Sequence, residues 1–241
     1  TNKHELYLDS VDTSEDLFDT YVLCDSMLKF NKAYDGSTLT NNGQTSVTYM
    51  QILQDICSQA GVTCGVSSFN GSSKTTTAYD TTTPGRDYIS WFAEMHGGFA
   101  YIDSSDRLQF NRFSTTVSAT YDANECSSIK IGDLHKIQRV VFDNYDMHFE
   151  NGTVSDGETL YLNVNNRMIT EQADVTAVYN VIKNFSFYNI KIEKCPILIT
   201  LMPGQRIALS LNGVSYNTIA QIDHSYNLGW QGGFECWLDN S

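Results

Sequence analysis

Residues 203–237 read PGQRIALSLNGVSYNTIAQIDHSYNLGWQGGFECW, and this stretch decides the fold class. Pro203-Gly204 is a turn pair. It opens an alternating strand with Ile207, Leu209 and Leu211 on one face. Asn212-Gly213 predicts a hairpin turn, because both residue types tolerate φ > 0. A second strand follows, then a third ending near Tyr226. Residues 229–233 form another turn before a last strand over 234–238. A β-meander closing a domain is expected, and the stretch holds no catalytic motif.

Upstream, two strands are expected at 5–11 and 20–30, joined by an acidic turn at 13–16, the second becoming helical near 26–30. Asp35-Gly36 and Asn41-Asn42-Gly43 are turn signals. Tyr49, Ile52, Leu53, Ile56, Cys57 and Ala60 make one apolar stripe at helical spacing, so a helix is expected over 47–60. Ser46 or Thr48 caps its start, and Gly61 suits the left-handed position after its end. A short strand at 62–66 and a Ser/Thr/Gly-rich loop over 67–82 follow. A second helix is expected over 84–96, with Thr83 as N-cap, Pro84 in the first turn, and Tyr88, Ile89, Phe92 and Met95 buried. A hairpin over 99–113 turns at 103–106.

Residues 114–165 read as β structure. Strands are expected at 137–143, 145–150 and 159–164, with turns at Asn151-Gly152 and Asp156-Gly157. A third helix over 171–184, capped by Thr170, buries Val175, Val178, Tyr179 and Ile182. Strands at 185–192 and 197–201 lead into the closing meander. Three helices against about twelve strands give the class α+β, β-dominated.

The 241 residues carry 15 basic and 28 acidic side chains, a net charge of −13. Residues 1–35 alone hold eight acids and three bases. Phosphate neutralisation needs a basic face, so tight nucleic-acid binding is not expected. No apolar run of about 18 residues occurs, so no membrane insertion by this chain is expected. The six cysteines, Cys24, Cys57, Cys64, Cys126, Cys195 and Cys236, form no CxxC pair. They are expected to be free thiols, with no metal site and no cofactor.

No nucleophile elbow, HExxH, P-loop or dinucleotide fingerprint occurs, so no catalytic residue is assigned. None of the five histidines lies four positions from another, and His96 is expected to cap the second helix. Asp143, Asp146, His148 and Glu150 crowd one strand region. A solvated strand face explains them best. A carboxylate pair for glycoside hydrolysis, with Asp146 and Glu150 facing each other and Trp230 as a sugar platform, is the alternative. Trp91, Trp230 and Trp237 are expected in core or interface.

Three blocks in order resemble the hub proteins of bacteriophage and prophage tail tips and baseplates. They are LYLDSV…YVLCDSMLKFNKAYDG with TYMQILQDICSQAGV, then TPGRDYISWFAEMHGGFAYIDSSDRLQF, then ITEQADVTAVYNVIKNFSFYNIKIEKCP with the meander. The chain has Gln205 where an Asp is expected, and Asn165-Asn166 where Asn-Pro is common. The resemblance implies hub-type β-barrel domains with an α/β insertion. It divides the chain into the end of a first barrel (1–35), the insertion with two helices and a hairpin (36–115), and a second barrel with one helix (116–241). The chain begins at Thr1 rather than Met, which reads as a piece of a longer protein with the first barrel incomplete.

The function implied is a structural, non-enzymatic ring that continues the tail tube as a homotrimer. Its neighbours would be a distal tail protein and a tape-measure protein, and DNA would pass through its lumen without tight binding. Location would be the virion tail tip, assembled in the bacterial host cytoplasm. The full-length protein could carry a C-terminal peptidase or lysin, making this chain the structural domain of a tail-associated lysin.

Overall fold

Thr48 ends a two-residue strand and starts the helix that organises the first half of the chain. Its hydroxyl accepts from the Gln51 N–H at 3.1 Å, and the Gln51 side chain accepts from the Thr48 N–H at 2.8 Å. This reciprocal cap satisfies two N–H groups that the first helical turn cannot. At the other end Gly61 takes φ 66°, which a Cβ would disfavour, and returns its N–H to the last turn. The computed structural model describes residues 7–15, 18–41, 46–77, 82–125, 128–183, 185–195, 204–219, 222–226 and 230–235. Two compact units divide it: Thr1–Asn111 with Asn166–Ile169, and Arg112–Asn165 with Thr170–Ser241. The class is α+β, with strands dominant.

In the first unit, β1 (Tyr7–Glu15) and β2 (Phe18–Cys24) pair antiparallel, and a 3₁₀ helix follows at Ser26–Asn31. Asp25 caps it by accepting from the Met27 N–H at 2.9 Å. A short helix, α1 (Ser37–Asn41), precedes β3 (Val47–Thr48) and α2 (Tyr49–Ala60). The strand expected over 62–66 is β4 (Thr63–Cys64). Within the segment expected as loop, β5 (Thr75–Thr76) pairs with β3. Two residues of pairing leave no alternating pattern to read.

The second helix, α3 (Gly85–His96), starts later than expected. Pro84 has ψ 142° and holds the cap position itself, so Thr83 is not the N-cap. The Thr83 carbonyl instead accepts from the Tyr34 N–H at 2.9 Å. β6 (Gly98–Ile102) and β7 (Arg107–Arg112) complete a sheet of order β4-β7-β6.

The core lies between α2 and α3. Ile52, Leu53 and Ile56 of α2 and Tyr88, Ile89, Phe92 and Met95 of α3 are buried. Each such side chain contributes about 1.5–3 kcal/mol by leaving water. Phe92 sits 5.6 Å from Tyr49 and 5.0 Å from Phe69, ring centre to ring centre. Residues Asn166–Ile169, far away in sequence, belong to this unit, with Met168 and Ile169 buried.

In the second unit, β8 (Val117–Asp122) leads through a 3₁₀ turn to β9 (Ser128–Asp143), sixteen residues long. β10 (His148–Gly152) pairs with β9 antiparallel and β11 (Glu158–Tyr161) pairs with it in parallel. The turn joining β9 to β10 falls at residues 144–147, so the expected strand start at Tyr145 is corrected to His148. Asn151-Gly152 is the end of β10 and not a turn.

Helix α4 (Gln172–Ile182) packs on β9 and β10 and buries Val175, Val178 and Ile182. Its cap position is Glu171 rather than Thr170. Asp174 accepts from the N–H groups of Thr170 at 2.9 Å and Glu171 at 3.2 Å. A side chain reaching back from the first turn satisfies these donors without a hydroxyl at 170.

β12 (Ser186–Cys195) pairs with β9. The closing stretch then departs from a continuous meander. β13 (Arg206–Leu211) and β14 (Val214–Ile219) form the expected hairpin, with Asn212 at φ 52° and Gly213 at φ 79°. This hairpin joins β8 in a three-stranded sheet. β15 (Ile222–Tyr226) and β16 (Trp230–Glu235) form a separate hairpin on β12, in the sheet of order β10-β9-β12-β16-β15. The chain changes sheet after β14 because one sheet cannot bury its own apolar face. Ile190 of β12 meets Ile207 and Leu209 of β13 and Ala119 and Tyr121 of β8 in a shared core. Among the described residues neither sheet closes on itself. The strand expected at 197–201 lies outside the described residues.

Candidate functional site

The ribbon β9–β10 carries the residues singled out as possible chemistry. Its register sets His148 opposite Asp143 and Gly152 opposite Arg139. His148 therefore sits between two carboxylates, Nδ1 3.3 Å from Asp143 Oδ1 and Nε2 3.4 Å from Glu150 Oε2. Arg139 reaches along the same ribbon and donates to Glu150. That guanidinium, aided by His148, holds the Glu150 carboxyl below its ordinary range.

Asp146 does not join them. It lies in the turn, where its own N–H donates to Asn144 Oδ1 at 3.0 Å. The expectation that Asp146, His148 and Glu150 share a strand face is corrected accordingly: the structure groups Arg139, Asp143, His148 and Glu150. Arg139 escaped the sequence reading because its pairing with Glu150 depends on strand register. A cation on the strand opposite a run of acids was the available signal.

Glycoside hydrolysis needs one carboxyl kept protonated by a raised pKa. Glu150 is shifted the other way, and its anion is matched to a fixed cation. Trp230 begins β16, separated from β10 by two strands. Trp91 is buried in α3, and Trp237 lies outside the described residues. His96 ends α3, with its ring centre 6.3 Å from that of Phe110.

The rest of β9 is tied to β11 and its approach. His135 Nδ1 is 2.9 Å from Glu158, and Lys136 donates to Asp156 at 3.0 Å. The Lys136 ammonium and the Gln138 and Ser155 side chains hold Asp156 below the usual carboxylate range. These are solvent-exposed pairs, which water and salt screen. Among the described residues, no group of three or more His, Cys, Asp and Glu could hold a metal ion. No helix among them is long and apolar enough to cross a membrane.

A different surface emerges from apolar exposure. Among the described residues, the large apolar side chains left in solvent all belong to the second unit. Leu134, Tyr145, Tyr161, Val164 and Val214 are each more than half exposed. Among the described residues, Tyr161 lies on β11, which pairs only with β9, and Val214 lies on β14, the outer strand of its sheet. Outer strands with exposed apolar side chains are ready to pair with another chain.

Three solved structures show what this fold is similar to. The 43 kDa tail protein of prophage MuSo2 from Shewanella oneidensis aligns over 95% of this chain and 76% of its own, at 12% identity and TM-score 0.59. The tail protein from Neisseria meningitidis MC58 aligns over 96% of this chain and 78% of its own, at 10% identity and TM-score 0.57. The prophage tail protein gp18 from Listeria monocytogenes EGD-e aligns over 99% and 78%, at 11% identity and TM-score 0.56. No protein-family model matches the chain, and no curated protein sequence matches it. The likeness is one of fold.

Proposed function

We propose that this chain is a structural component of a phage or prophage tail, a tip or baseplate hub whose copies form a ring continuing the tail tube. The carrying observation is a fold shared with three tail proteins, two of them from prophages, over 95–99% of the chain. A fold does not by itself fix a function, so the surface must agree. The second unit supplies agreement, because its outer strands carry the exposed apolar side chains that subunit contacts require.

In this reading the second unit provides the hub barrel wall, three copies close the ring, and distal tail and tape-measure proteins flank it. The protein works at the virion tail tip and is assembled in the host cytoplasm. Three chains bring a formal charge of −39 (3 × −13) to one ring. An acidic wall lets DNA slide without holding it, and apolar subunit contacts offset the self-repulsion. The role asks for no catalytic residue and no cofactor.

The test is imaging of tail particles containing the intact protein. Antibody against this chain should label the tail end, and averaged images should show a threefold ring with an acidic lumen. Twofold or sixfold symmetry of this chain, a lumen lined by Lys and Arg, or absence of label from the tail end would overturn the proposal.

A further inference from the structure

We infer that Asn212 is a spontaneous modification site, where closure to a succinimide and hydrolysis yield an isoaspartate that opens the β13–β14 hairpin. The inference is independent of the tail reading.

Asparagine followed by glycine is open to this chemistry, because no glycine side chain shields the backbone nitrogen that attacks. The chain has four such pairs. Asn42-Gly43 lies outside the described residues, and the other three are placed very differently. Asn212 and Gly213 are both exposed, at the tip of a two-residue turn between Leu211 and its strand partner Val214. Among the described residues the Asn212 side chain holds no hydrogen bond, and the Gly213 N–H makes no backbone hydrogen bond. Ring closure requires rotation about the Asn212 Cα–C bond, so the left-handed turn, at φ 52° and 79°, must open. Little opposes this. Nothing lies within 4 Å of where a Cβ at Gly213 would stand, and among the described residues β14 is the outer strand of its sheet.

The other two pairs are held where they stand. Asn151 donates its side-chain N–H to Thr176 Oγ1 at 3.0 Å and pairs with Val140 of β9. Rotation at Asn151 would move Gly152, where a Cβ would already overlap the Gln138 carbonyl oxygen and stand 2.6 Å from Tyr179 Cε2. Asn70 is half-buried, inside a turn closed by the Ser72 N–H on the Phe69 carbonyl at 3.0 Å. Its Gly71 lies against Met95, whose Cε would be 2.8 Å from a Cβ there. Three like dipeptides therefore differ in how much structure must break before ring closure.

The chemistry needs only water. The Gly213 backbone nitrogen attacks Asn212 Cγ, forming a C–N bond. The Cγ–Nδ2 bond breaks, and the side-chain nitrogen leaves as ammonia with the Gly213 proton. Water then adds to one of the two imide carbonyls. Cleavage of the new Cγ–N bond gives aspartate. Cleavage of the original peptide bond gives isoaspartate, with the main chain routed through Cβ and Cγ. No group is oxidised or reduced. The isoaspartate inserts an extra carbon into a turn whose two residues match the twist of the strands they join. Leu211 and Val214 can then no longer pair as they do, and β14 loosens from β13.

The test ages the folded full chain in mildly alkaline buffer, beside the same chain unfolded in urea. Trypsin separates the three pairs, leaving Asn70 in residues 33–74, Asn151 in 140–167 and Asn212 in 207–241. Mass spectrometry follows the exchange of an amino group for a hydroxyl, and fragment masses place each change at its residue. In the folded chain Asn212 should react at least about tenfold faster than Asn151 or Asn70, since theirs is the larger local opening. In urea the three rates should converge. Anion exchange then isolates the aged chain by its added negative charge. Amides of residues 207–217 should exchange with deuterium faster in its isoaspartate form than in the parent, while Asn212→Asp, with the same charge and an ordinary backbone, keeps the parent's protection. Equal folded-state rates at Asn212 and Asn151, an earlier change at Asn217 than at Asn212, or unchanged exchange in the isoaspartate form would overturn the inference. The ranking is read on the parent chain and needs no variant.

Discussion

The Asn166 side-chain N–H donates to the backbone carbonyl of Trp91 at 3.2 Å, across 75 positions of sequence. The same amide donates to Glu94 at 2.6 Å, and its oxygen accepts from the Met168 N–H at 3.0 Å. Tyr49 adds its hydroxyl to the Met168 carbonyl at 3.2 Å. Asn166 is fully buried, so a late segment of the chain is pinned into the first unit by one amide that has both donors and an acceptor in use. Asn166→Ala leaves buried polar groups unpaired and should cost about 1–3 kcal/mol in urea unfolding followed by tryptophan fluorescence. Asn166→Asp sets a carboxylate against Glu94. Its cost should grow as pH rises through the carboxylate range, since one of the two must hold a proton to be accommodated. A neutral Asn166→Ala would show that the segment is held by Met168 and Ile169 alone.

Ile52 and Ile56 form the buried stripe of α2 at 0% and 3% exposure. Each Ile→Ala change should cost about 2–5 kcal/mol, measured as a shift of the unfolding midpoint at constant slope. Ile56 faces a further constraint, because a Cβ at Gly85 would come within 3.0 Å of Ile56 Cγ2. Combining Gly85→Ala with Ile56→Ala should therefore cost less than the two single losses added together. Strict additivity would mean that the α3 start and α2 do not share that space.

The hairpin at 103–106 stores a pH dependence. Burial pushes the Asp103 carboxyl up, but hydrogen bonds from the Gln109 and Arg107 side chains and from the Ser105 and Arg107 backbone N–H groups prevail and bring it to about 2. An unfolded Asp titrates near about 3.9. A folded pKa below the unfolded one gives stability that is fully present above about pH 4 and lost as pH falls toward about 2. Asp103→Asn should flatten the stability profile across that window and lower stability at neutral pH. Parallel curves for parent and variant between those limits would contradict the assignment.

Helices α2 and α3 were legible because a 3.6-residue apolar period and a terminal glycine, Gly61 or Gly97, are local signals. So was the Asn212-Gly213 turn. The sheet that β15 and β16 join was not. Turn residues encode which neighbours pair, while the partner sheet depends on Ile190 meeting Ile207 and Leu209 across a core. The charged ribbon was half legible: Asp143, His148 and Glu150 are crowded in sequence, but Arg139 enters only through register.

Gly213 and Gly152 look alike in sequence, each following an asparagine, yet they answer different demands. Gly213 has φ 79° and open space where a Cβ would be. Gly213→Ala meets only backbone strain and should cost about 1–2 kcal/mol. Gly152 has φ 92°, and a Cβ there would overlap the Gln138 carbonyl oxygen and stand 2.6 Å from Tyr179 Cε2 of α4. This close approach of backbone and ring, rather than a turn, is why glycine occupies the end of β10. Gly152→Ala must displace β9 or α4, and should cost at least about 3 kcal/mol. Tyr179→Ala in the same chain removes the ring overlap but leaves the carbonyl, so it should recover only part of the loss. Thermal unfolding of the three variants ranks them directly. A smaller loss at Gly152 than at Gly213 would mean that the ribbon and α4 yield easily, and the glycine would then be serving local chain geometry alone.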